Sequence, residues 1–299
     1  MRYSLITASG LLAAVSGHGL VTSIKGANGV TMPGLSVADG TPRDCTTNAC
    51  GSQADTAIIR DREISNGKAS PLGRTQGNGP IDAATMIQNF MGSASAPTNN
   101  GSADSVGVED NIPANAGKRS NLFIRGLGDL LGGLTGKNGG TKTETAEETS
   151  VAASAGQGAT SGLPTCADDG SVTMTFRQIN QDGAGPIEAA VDGTSGGTQE
   201  DAFKTADVTQ DVPGSGFAGL SLATNTDFPL TVQMPAGMTC DATVGGASNV
   251  CVVRVRNNAI AGPFGGSAAF TQSPAARKRA LNYRMKMKRQ SEQNRRLRK

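Results

Sequence analysis

Short runs of alternating apolar residues in the second half of the chain limit its fold more than any other feature. In SVTMTFRQI, polar residues separate Val172, Met174 and Phe176, so these three fall on one face of a strand. FPLTVQMP and VCVVRVRN are also typical of strands, being short and rich in β-branched and apolar residues. Strands with one apolar face bury it against another sheet. We therefore predict a mainly β protein, an antiparallel β-sandwich of the immunoglobulin-like type with a short helix, long loops and disulfides.

The first half of the chain contains one hairpin signal and one helix signal. GLVTSIKGANGVTM places β-branched residues on both sides of Asn28-Gly29, which predicts a hairpin that enters a sheet. In IDAATMIQNFM, residues 81–91, apolar residues recur at helical spacing, and Asp82 favours the positive end of the helix dipole. We expect one short helix there.

Residues 1–17 are typical of a secretory signal peptide, with Arg2 at a positive start, an apolar core over Leu5–Val15 and small residues at the end. Cleavage after Gly17 would make His18 the N-terminal residue, although neighbouring cleavage points also fit. No later stretch reaches the roughly 18 apolar residues of a membrane span, and the charged C-terminus does not fit a GPI signal. We expect a secreted, extracellular or cell-surface protein.

Composition predicts a single β-sandwich domain over residues 18–276. The chain contains 41 glycines and only 36% hydrophobic residues, so much of its length is expected in loops. Residues from about 114 to 163 hold few large apolar side chains, which predicts a disordered insertion. Residues 277–299 hold 11 basic side chains and one acid, a net charge of +10, and form a basic C-terminal tail. Residues 18–276 carry a net charge of −9, so an acidic body is joined to a basic tail.

The five cysteines are expected to form disulfides, because the leader sends the chain to an oxidising compartment. One of the five must stay unpaired or pair between chains. Cys240 and Cys251 flank a run whose centre, Gly245-Gly246, is a turn signal, which predicts a bridged hairpin. The pairing of Cys45, Cys50 and Cys166 stays open. Zinc is disfavoured, because no two close cysteine pairs have finger spacing.

Six sequence blocks carry a resemblance to a known family: HGLVTSIKGANGVTMPGLSVADGTPRDC, CGSQADTAIIRDREI, LGRTQGNGPIDAATMIQNFMG, TADVTQDVPG, ATNTDFPLTVQMPAGMTC and GPFGGSAAFTQSPAARKRA. They resemble the fungal Egh-type secreted virulence factors, also called appressorium-specific or MAS-type surface proteins. The resemblance covers both ends of the body and skips residues 114–163. It implies a virulence-associated role during infection-structure formation and host penetration, and no particular reaction.

That family is distantly similar to the lytic polysaccharide monooxygenases, which implies a monooxygenase-like sandwich and a copper site at an N-terminal histidine. His18-Gly19 matches the first position of that site. A full copper brace needs a second histidine, and His18 is the only one in the chain. The remaining possibility is a weaker copper site from the amine and ring of His18 with one carboxylate, for which the candidates are Asp44, Asp55 and Asp192.

Aromatic and acidic residues give limited support to sugar binding or hydrolysis. The chain has no Trp, Tyr3 is in the leader and Tyr283 in the tail, so only Phe is expected in the body. Phe264 or Phe270 could lie beside a copper ion, but Phe more often packs in a core. No second histidine is available as a base for a nucleophile. Asp168-Asp169 is expected in a solvated turn rather than as a glycosidase pair.

The basic tail and one sequon complete the candidate sites. The tail would bind phosphate, but the leader argues against a nucleic-acid partner. It fits docking on the acidic body, binding to anionic wall or membrane surfaces, or cleavage at Lys278-Arg279, Lys288-Arg289 or Arg295-Arg296. Asn100-Gly101-Ser102 is a glycosylation sequon.

Three functional hypotheses follow. The first is a secreted, non-catalytic virulence-associated factor of appressorium formation or host surface penetration, with host or fungal cell-wall and surface components as partners. The second is a copper-dependent redox protein that uses His18, with copper as the one cofactor considered. The third is an extracellular scaffold that binds anionic surfaces through its basic tail.

Overall fold

The computed structural model describes residues 18–46, 50–99, 140–143, 145–181, 183–214, 221, 223–259 and 262–298. In these residues the chain forms thirteen strands: β1 (Gly19–Lys25), β2 (Thr31–Pro33), β3 (Ala57–Ile58), β4 (Arg74–Thr75), β5 (Gly79–Pro80), β6 (Thr141–Lys142), β7 (Ser171–Gln178), β8 (Glu188–Asp192), β9 (Phe203–Gln210), β10 (Thr226–Gln233), β11 (Ala242–Val244), β12 (Ala247–Arg256) and β13 (Phe264–Thr271). Their order is β2-β1-β7-β10-β9-β8-β12-β13-β3-β4-β5, with β6 beside β10 and β11 beside β12. All these strand pairs are antiparallel, which confirms the predicted fold class.

The long sheet bends so that strands far apart in its order pack face to face. Strand β1 contacts β13 across the sandwich. A Cβ on Gly266 of β13 would lie 2.6 Å from the backbone nitrogen of Val21 in β1, so only glycine allows this close approach. Beside this contact, the Leu35 backbone N–H donates to the Ser267 carbonyl at 2.9 Å. The bend brings the start of β1 close to the start of β13.

The core contains the alternating residues of the strand-like runs. Val172, Met174 and Phe176 of β7 are buried, whereas Thr173 faces outward and its hydroxyl lies 3.3 Å from that of Thr231 in β10. Strand β7 lies between β1 and β10, so both of its edges are paired, and its apolar residues belong to the main core. The alternation in SVTMTFRQI therefore predicted the correct inner face.

Both hairpin signals correspond to hairpins. The turn after β1 contains Gly29 at φ +81°, and β1 pairs with β2. The turn between β11 and β12 contains Gly245 at φ +56° and Gly246 at φ +86°, the left-handed values that a two-residue hairpin turn requires.

Five α-helices lie in the described residues: α1 (Asp61–Ser65), α2 (Ala83–Phe90), α3 (Ser150–Ala153), α4 (Gly158–Ser161) and α5 (Pro274–Leu297), with a short 3₁₀ turn at Glu200–Ala202. Helix α2 is the predicted one. The Asp82 side chain accepts from the Ala84 backbone N–H at 2.9 Å and caps its start. None of the described helices is long and apolar enough to cross a membrane.

The second part of the segment predicted as a disordered insertion is folded in the structure. Residues 145–163 fold onto the body, and Val151 in α3 is fully buried. The Asp39 carboxylate accepts from the Val151 and Ala152 backbone N–H groups at 3.0 and 2.7 Å, and Asn89 donates to the Val151 carbonyl at 3.1 Å. Composition did not predict this folded segment, because a few buried side chains, among them Val151 and Leu163, and hydrogen bonds with residues far away in the chain hold it. Residues 114–139 lie outside the described residues.

A buried ion cluster joins this segment to the N-terminal part of the body. The Arg43 guanidinium, almost fully buried, donates two hydrogen bonds to Asp55 at 2.9 and 2.5 Å and one to Glu148 at 3.0 Å. Burial tends to raise the pKa of Glu148, but the charge of Arg43 and hydrogen bonds from Ser150 outweigh it and leave that pKa below its ordinary value.

Candidate functional site

His18 lies immediately before β1, at the end of the sheet where β1 pairs with β7. Its side chain is 1% exposed. Its carbonyl accepts from the Ile179 backbone N–H at 2.9 Å, which continues the pairing of the two strands by one residue. The position of His18 is therefore set by the sheet itself.

Asn180 contacts two nitrogen atoms of His18 with one side chain. The His18 backbone nitrogen donates to Asn180 Oδ1 at 2.6 Å, and Asn180 Nδ2 lies 3.4 Å from His18 Nδ1. With Nδ1 unprotonated, the amide donates to it, so one amide holds both groups. The main-chain nitrogen and the ring nitrogen of His18 thus face the same side chain.

The residues packed around His18, which we call the His18 pocket, also include an aromatic ring. The Phe264 ring, which is fully buried, lies 4.4 Å from the His18 ring between centroids, with a tilt of 32°. Asn257 fixes the backbone at Phe264, because its Oδ1 accepts from the Ala259 and Phe264 N–H groups at 3.2 and 3.0 Å. A tilted ring pair of this kind contributes packing energy and limits rotation of the imidazole.

Two glycines let the backbone close around His18. A Cβ on Gly19 would lie 2.6 Å from the Phe176 ring, and one on Gly183 would lie 2.1 Å from the His18 carbonyl oxygen. The second distance is to backbone, which cannot swing aside as a flexible side chain can. Gly183 is therefore needed for the chain to pass this close to His18.

Gln178 adds a buried polar group next to this pocket. It is the register partner of Gly19, and its Nε2 donates to the carbonyls of Asn180 and Ala223 at 3.0 and 2.9 Å. Its Oε1 has no hydrogen-bond partner among the described residues. The pocket is thus polar on the β7 side and aromatic on the β13 side.

The three candidate carboxylates are engaged or located elsewhere. Asp55 is bound by Arg43, as described above, and Asp44 is exposed. Asp192 is buried and accepts from Ser195 Oγ at 2.5 Å and from the Gly197 backbone N–H at 2.7 Å. Burial tends to raise the pKa of Asp192, but the hydrogen bonds outweigh it and leave the pKa below its ordinary value. Asp192 therefore has a structural role in its own loop.

Comparison with known protein families shows which family the chain resembles. The profile of one family, described as Egh16-like virulence factor, matches residues 16–265. The chain belongs to the Egh16-like virulence factor family.

Two appressoria-specific virulence factors of Pyricularia oryzae are similar to this Egh16-like chain. It is 54% identical to GAS2 over 291 residues, which cover 97% of this chain and 96% of that protein. It is 41% identical to GAS1 over 123 residues, 40% of this chain and 47% of that protein. No solved structure matches the chain.

The residues around His18 do not fit the three-nitrogen copper brace that the monooxygenase likeness implies. The chain has one histidine, and no group of three His, Cys, Asp or Glu residues placed to hold a metal occurs in the described part of this Egh16-like chain. Asn180 occupies the side of His18 on which its two nitrogens converge. At most a two-nitrogen chelate with weaker oxygen ligands is compatible with this arrangement.

The structure separates the other predicted aromatic and acidic candidates. Phe264 contacts His18, whereas Phe270 is packed in the main core. Asp168 accepts from the Ser273 hydroxyl at 2.8 Å, and Asp169 accepts from the Ser171 N–H at 2.8 Å. Asp169 therefore holds its own turn, whereas Asp168 joins that turn to the start of α5, and both residues are exposed.

Tyr283 was expected in a separate tail, but the structure places its ring against the body. A Cβ on Gly237 would lie 2.9 Å from Tyr283 Cδ1, so the ring lies against the body, although it stays 44% exposed. The reason is that α5 begins at Pro274, and its first turns run along the surface of the sandwich. One aromatic side chain is therefore available on the outside of the body.

The cysteines form two disulfides within the described residues. One joins Cys240 to Cys251 across the β11–β12 hairpin, and the other joins Cys45 to Cys50. Cys166 is a free, buried thiol. Burial raises the pKa of this thiol.

The glycosylation sequon and the dibasic pairs are the last two sets of candidate sites. Asn100 lies outside the described residues, so its glycosylation stays a prediction. Among the dibasic pairs, Lys278-Arg279 is close to the body, because Arg279 donates to the Asp168 carbonyl at 2.9 Å. Lys288-Arg289 and Arg295-Arg296 are exposed, and their cleavage stays a prediction.

Sequence reasoning missed the polar residues that surround His18. Gln178 and Asn180 stand in the polar run QINQDG directly after the strand-like run, and β7 pairs with the strand that follows His18. Nothing in the sequence indicates that pairing. The one usable signal would have been the polar run itself. It lies at the end of β7, and β7 pairs with β1, the strand that follows His18.

Proposed function

We propose that the protein is a secreted virulence-associated factor that acts outside a fungal cell in appressorium formation or host surface penetration, without catalysis. The observation that carries this proposal is 54% identity to a GAS2 protein named appressoria-specific virulence factor, over 97% of the chain. Identity at this level over the full length supports a shared biological role.

The fold and the site support a binding role over an enzymatic one. The described residues build a sandwich with two disulfides, which suits a protein exposed to an oxidising exterior. The only histidine is packed between Asn180 and Phe264, where it cannot act as a base for a surface nucleophile. Host or fungal cell-wall and surface components are the proposed partners.

Gene deletion in the source fungus tests this function. We expect normal vegetative growth with fewer successful penetration events and smaller lesions, and recovery on complementation with the full-length gene. A complementing gene without residues 2–17 should fail to rescue, because the product would stay inside the cell. Undiminished infection by the deletion strain, or rescue by the leaderless gene, would contradict the proposal.

A second candidate function is Cu(II) binding at His18. The observation that favours it is the convergence of the His18 main-chain nitrogen and Nδ1 on one side chain, since cleavage before His18 would turn the first into an amine. This amine and the ring nitrogen then suit Cu(II), which accepts mixed nitrogen and oxygen ligands.

Calorimetric titration of Cu(II) into the secreted protein tests the second candidate, after N-terminal sequencing has established where the chain begins. A start at His18 with one tight site that is lost in His18→Ala supports it. A start at any other residue, or equal binding by His18→Ala, contradicts it.

A further inference from the structure

Helix α5 and its C-cap residue Arg298 form two parts with different surroundings, which we call the root (residues 274–284) and the distal arm (residues 285–298). The root is built into the body. Ala276 and Ala280 are buried, and the Ser273 side chain caps the helix by accepting from the Ala276 N–H at 3.1 Å. The Ser273 hydroxyl also donates to Asp168, which ties the cap to the turn before β7.

Three of the four basic side chains of the root form hydrogen bonds with the body. Arg277 donates to the Cys240 carbonyl and to Asp241, both at 2.9 Å, and Arg279 donates to the Asp168 carbonyl. Arg284 donates to the Thr239 hydroxyl at 3.2 Å. The root therefore holds the start of the helix at a fixed place and direction.

The distal arm has no such contacts. All of its residues are exposed, and none of its cations forms an ion pair with any residue that the structure describes. At 1.5 Å per residue, its 14 residues extend for about 20 Å. Glu292 is its single acid against six cations, Lys286, Lys288, Arg289, Arg295, Arg296 and Arg298.

We propose that the distal arm binds an acidic polysaccharide, a polymer whose sugar units carry carboxylates. Cations spaced along the length of the helix fit an extended, flexible polyanion, because several of its charges can pair with the arm at once and the released counterions favour binding. Four of the six cations are arginines, whose guanidinium groups bind carboxylates with two parallel hydrogen bonds. The choice of a polysaccharide rests on the proposed extracellular function, and the choice of a charged one rests on the arm.

A membrane partner fits the arm less well. From Lys288 to Arg296 the arm has no apolar side chain, and its cations follow one another around the whole circumference of the helix. Helices that lie in a membrane interface place an apolar face in the lipid. The exposed Met285, Met287 and Leu297 at the two ends of the arm do not form such a face.

The arm should also respond to its partner. An isolated helix of this length is marginal in water, and the like charges of Lys286 and Arg289, or of Arg295 and Arg298, repel each other one turn apart. A bound polyanion removes that repulsion. Binding is therefore expected to increase the helical circular dichroism signal, although the sandwich is unchanged.

The test compares two variants with equal loss of charge, using polygalacturonate as the probe at about 50 mM salt. The arm variant is Lys286→Gln, Lys288→Gln, Arg289→Gln and Arg296→Gln, in which glutamine keeps the helix propensity. The body control changes exposed cations outside the arm in the same way: Lys25→Gln, Arg62→Gln, Lys142→Gln and Lys204→Gln. We expect affinity to fall about tenfold or more in the arm variant and less than about twofold in the body control.

Several results would overturn the proposal: no binding of polygalacturonate by the full secreted protein, equal losses in the two variants, or tighter binding to phosphatidylserine vesicles or duplex DNA than to polygalacturonate. Independence from salt would also contradict it. The infection assay of the deletion strain separates this proposal from the proposed function. Polysaccharide binding by a protein whose deletion leaves infection intact would refute the function and keep the binding site.

Discussion

The two ends of the described chain use polar groups in opposite ways. At His18, polar atoms are buried, and most lie within hydrogen-bond distance of a partner set by the sheet. In the distal arm, the charges are exposed and form no ion pair with the residues that the structure describes. A buried polar group is expensive to disturb, because its partners stay desolvated, whereas an exposed charge is solvated by water in any case. Stability should therefore depend on the first end and charge-based binding on the second.

The largest expected effect is at Phe264. Phe264→Ala removes a fully buried ring that contacts His18, and large-to-small changes of this kind cost about 3–5 kcal/mol. Met287→Ala in the distal arm is the matched control and should change the free energy of unfolding by less than about 0.5 kcal/mol. Urea denaturation of the two variants measures both. A similar cost for both would remove the contrast between the two ends.

A second prediction compares a buried arginine with an exposed one. Arg43→Gln leaves Asp55 and Glu148 without their buried partner and should destabilise the protein by about 3–5 kcal/mol. Arg296→Gln should be within about 0.5 kcal/mol of the parent protein. Thermal unfolding at neutral pH distinguishes the two. The comparison fails if Arg43→Gln is as stable as Arg296→Gln.

Asn180 should have an intermediate effect. Asn180→Ala removes the acceptor of the His18 backbone N–H and the amide beside its ring, for an expected cost of about 1–3 kcal/mol. The signal of the His18 ring in an NMR spectrum should shift or broaden as the imidazole gains freedom. Loss of stability without any change at His18 would mean that Asn180 acts only on the backbone.

Acid should weaken the ion cluster and leave the arm unaffected. The folded-state pKa of Glu148 is lower than its ordinary value of 4.5, so its contribution is complete above that pH and is lost as the pH falls through the lowered pKa. We expect the melting temperature to fall on acidification below about pH 4.5, and Glu148→Gln to reduce the slope. An unchanged slope in Glu148→Gln would assign the acid sensitivity to other carboxylates.

The smallest effect is expected from removal of the distal arm. A chain that ends after Arg284 keeps every hydrogen bond of the root, so its free energy of unfolding should change by less than about 0.5 kcal/mol. Polygalacturonate binding should nevertheless be lost. A clear fall in stability would show that the arm contacts the body in solution.

Local structure was largely predictable, because it depends on neighbouring residues. The alternation at Val172, Met174 and Phe176, the glycines of the β11–β12 turn and the periodicity of α2 each describe a local period or a required φ angle. Strand order was not predictable, since β8 pairs with β12, some 60 residues away in the chain. The folding of residues 145–163 was missed for the same reason, because Asp39 and Asn89 hold that segment from a distance.

The candidate site was predictable only at His18 itself. A lone histidine at an expected cleavage point attracts attention, but Asn180 and Phe264 reach it through β7 and β13, which are far from it in sequence. The sequence could not show what the candidate carboxylates do, because it does not indicate which loop a carboxylate stabilises. Asp192, enclosed by the backbone of residues 194–197, is the clearest case.

Burial of Cys166 has a consequence for the fidelity of the covalent structure. A cysteine attacks a disulfide only when its thiol is ionised and can reach a sulfur atom of that disulfide. In the folded protein the Cys166 thiol is buried, and its pKa is raised. The odd cysteine is thereby kept from exchanging with the Cys45–Cys50 and Cys240–Cys251 bridges. Wrong pairings can arise only before the core closes around it, so the sandwich protects its own cross-links once it has formed.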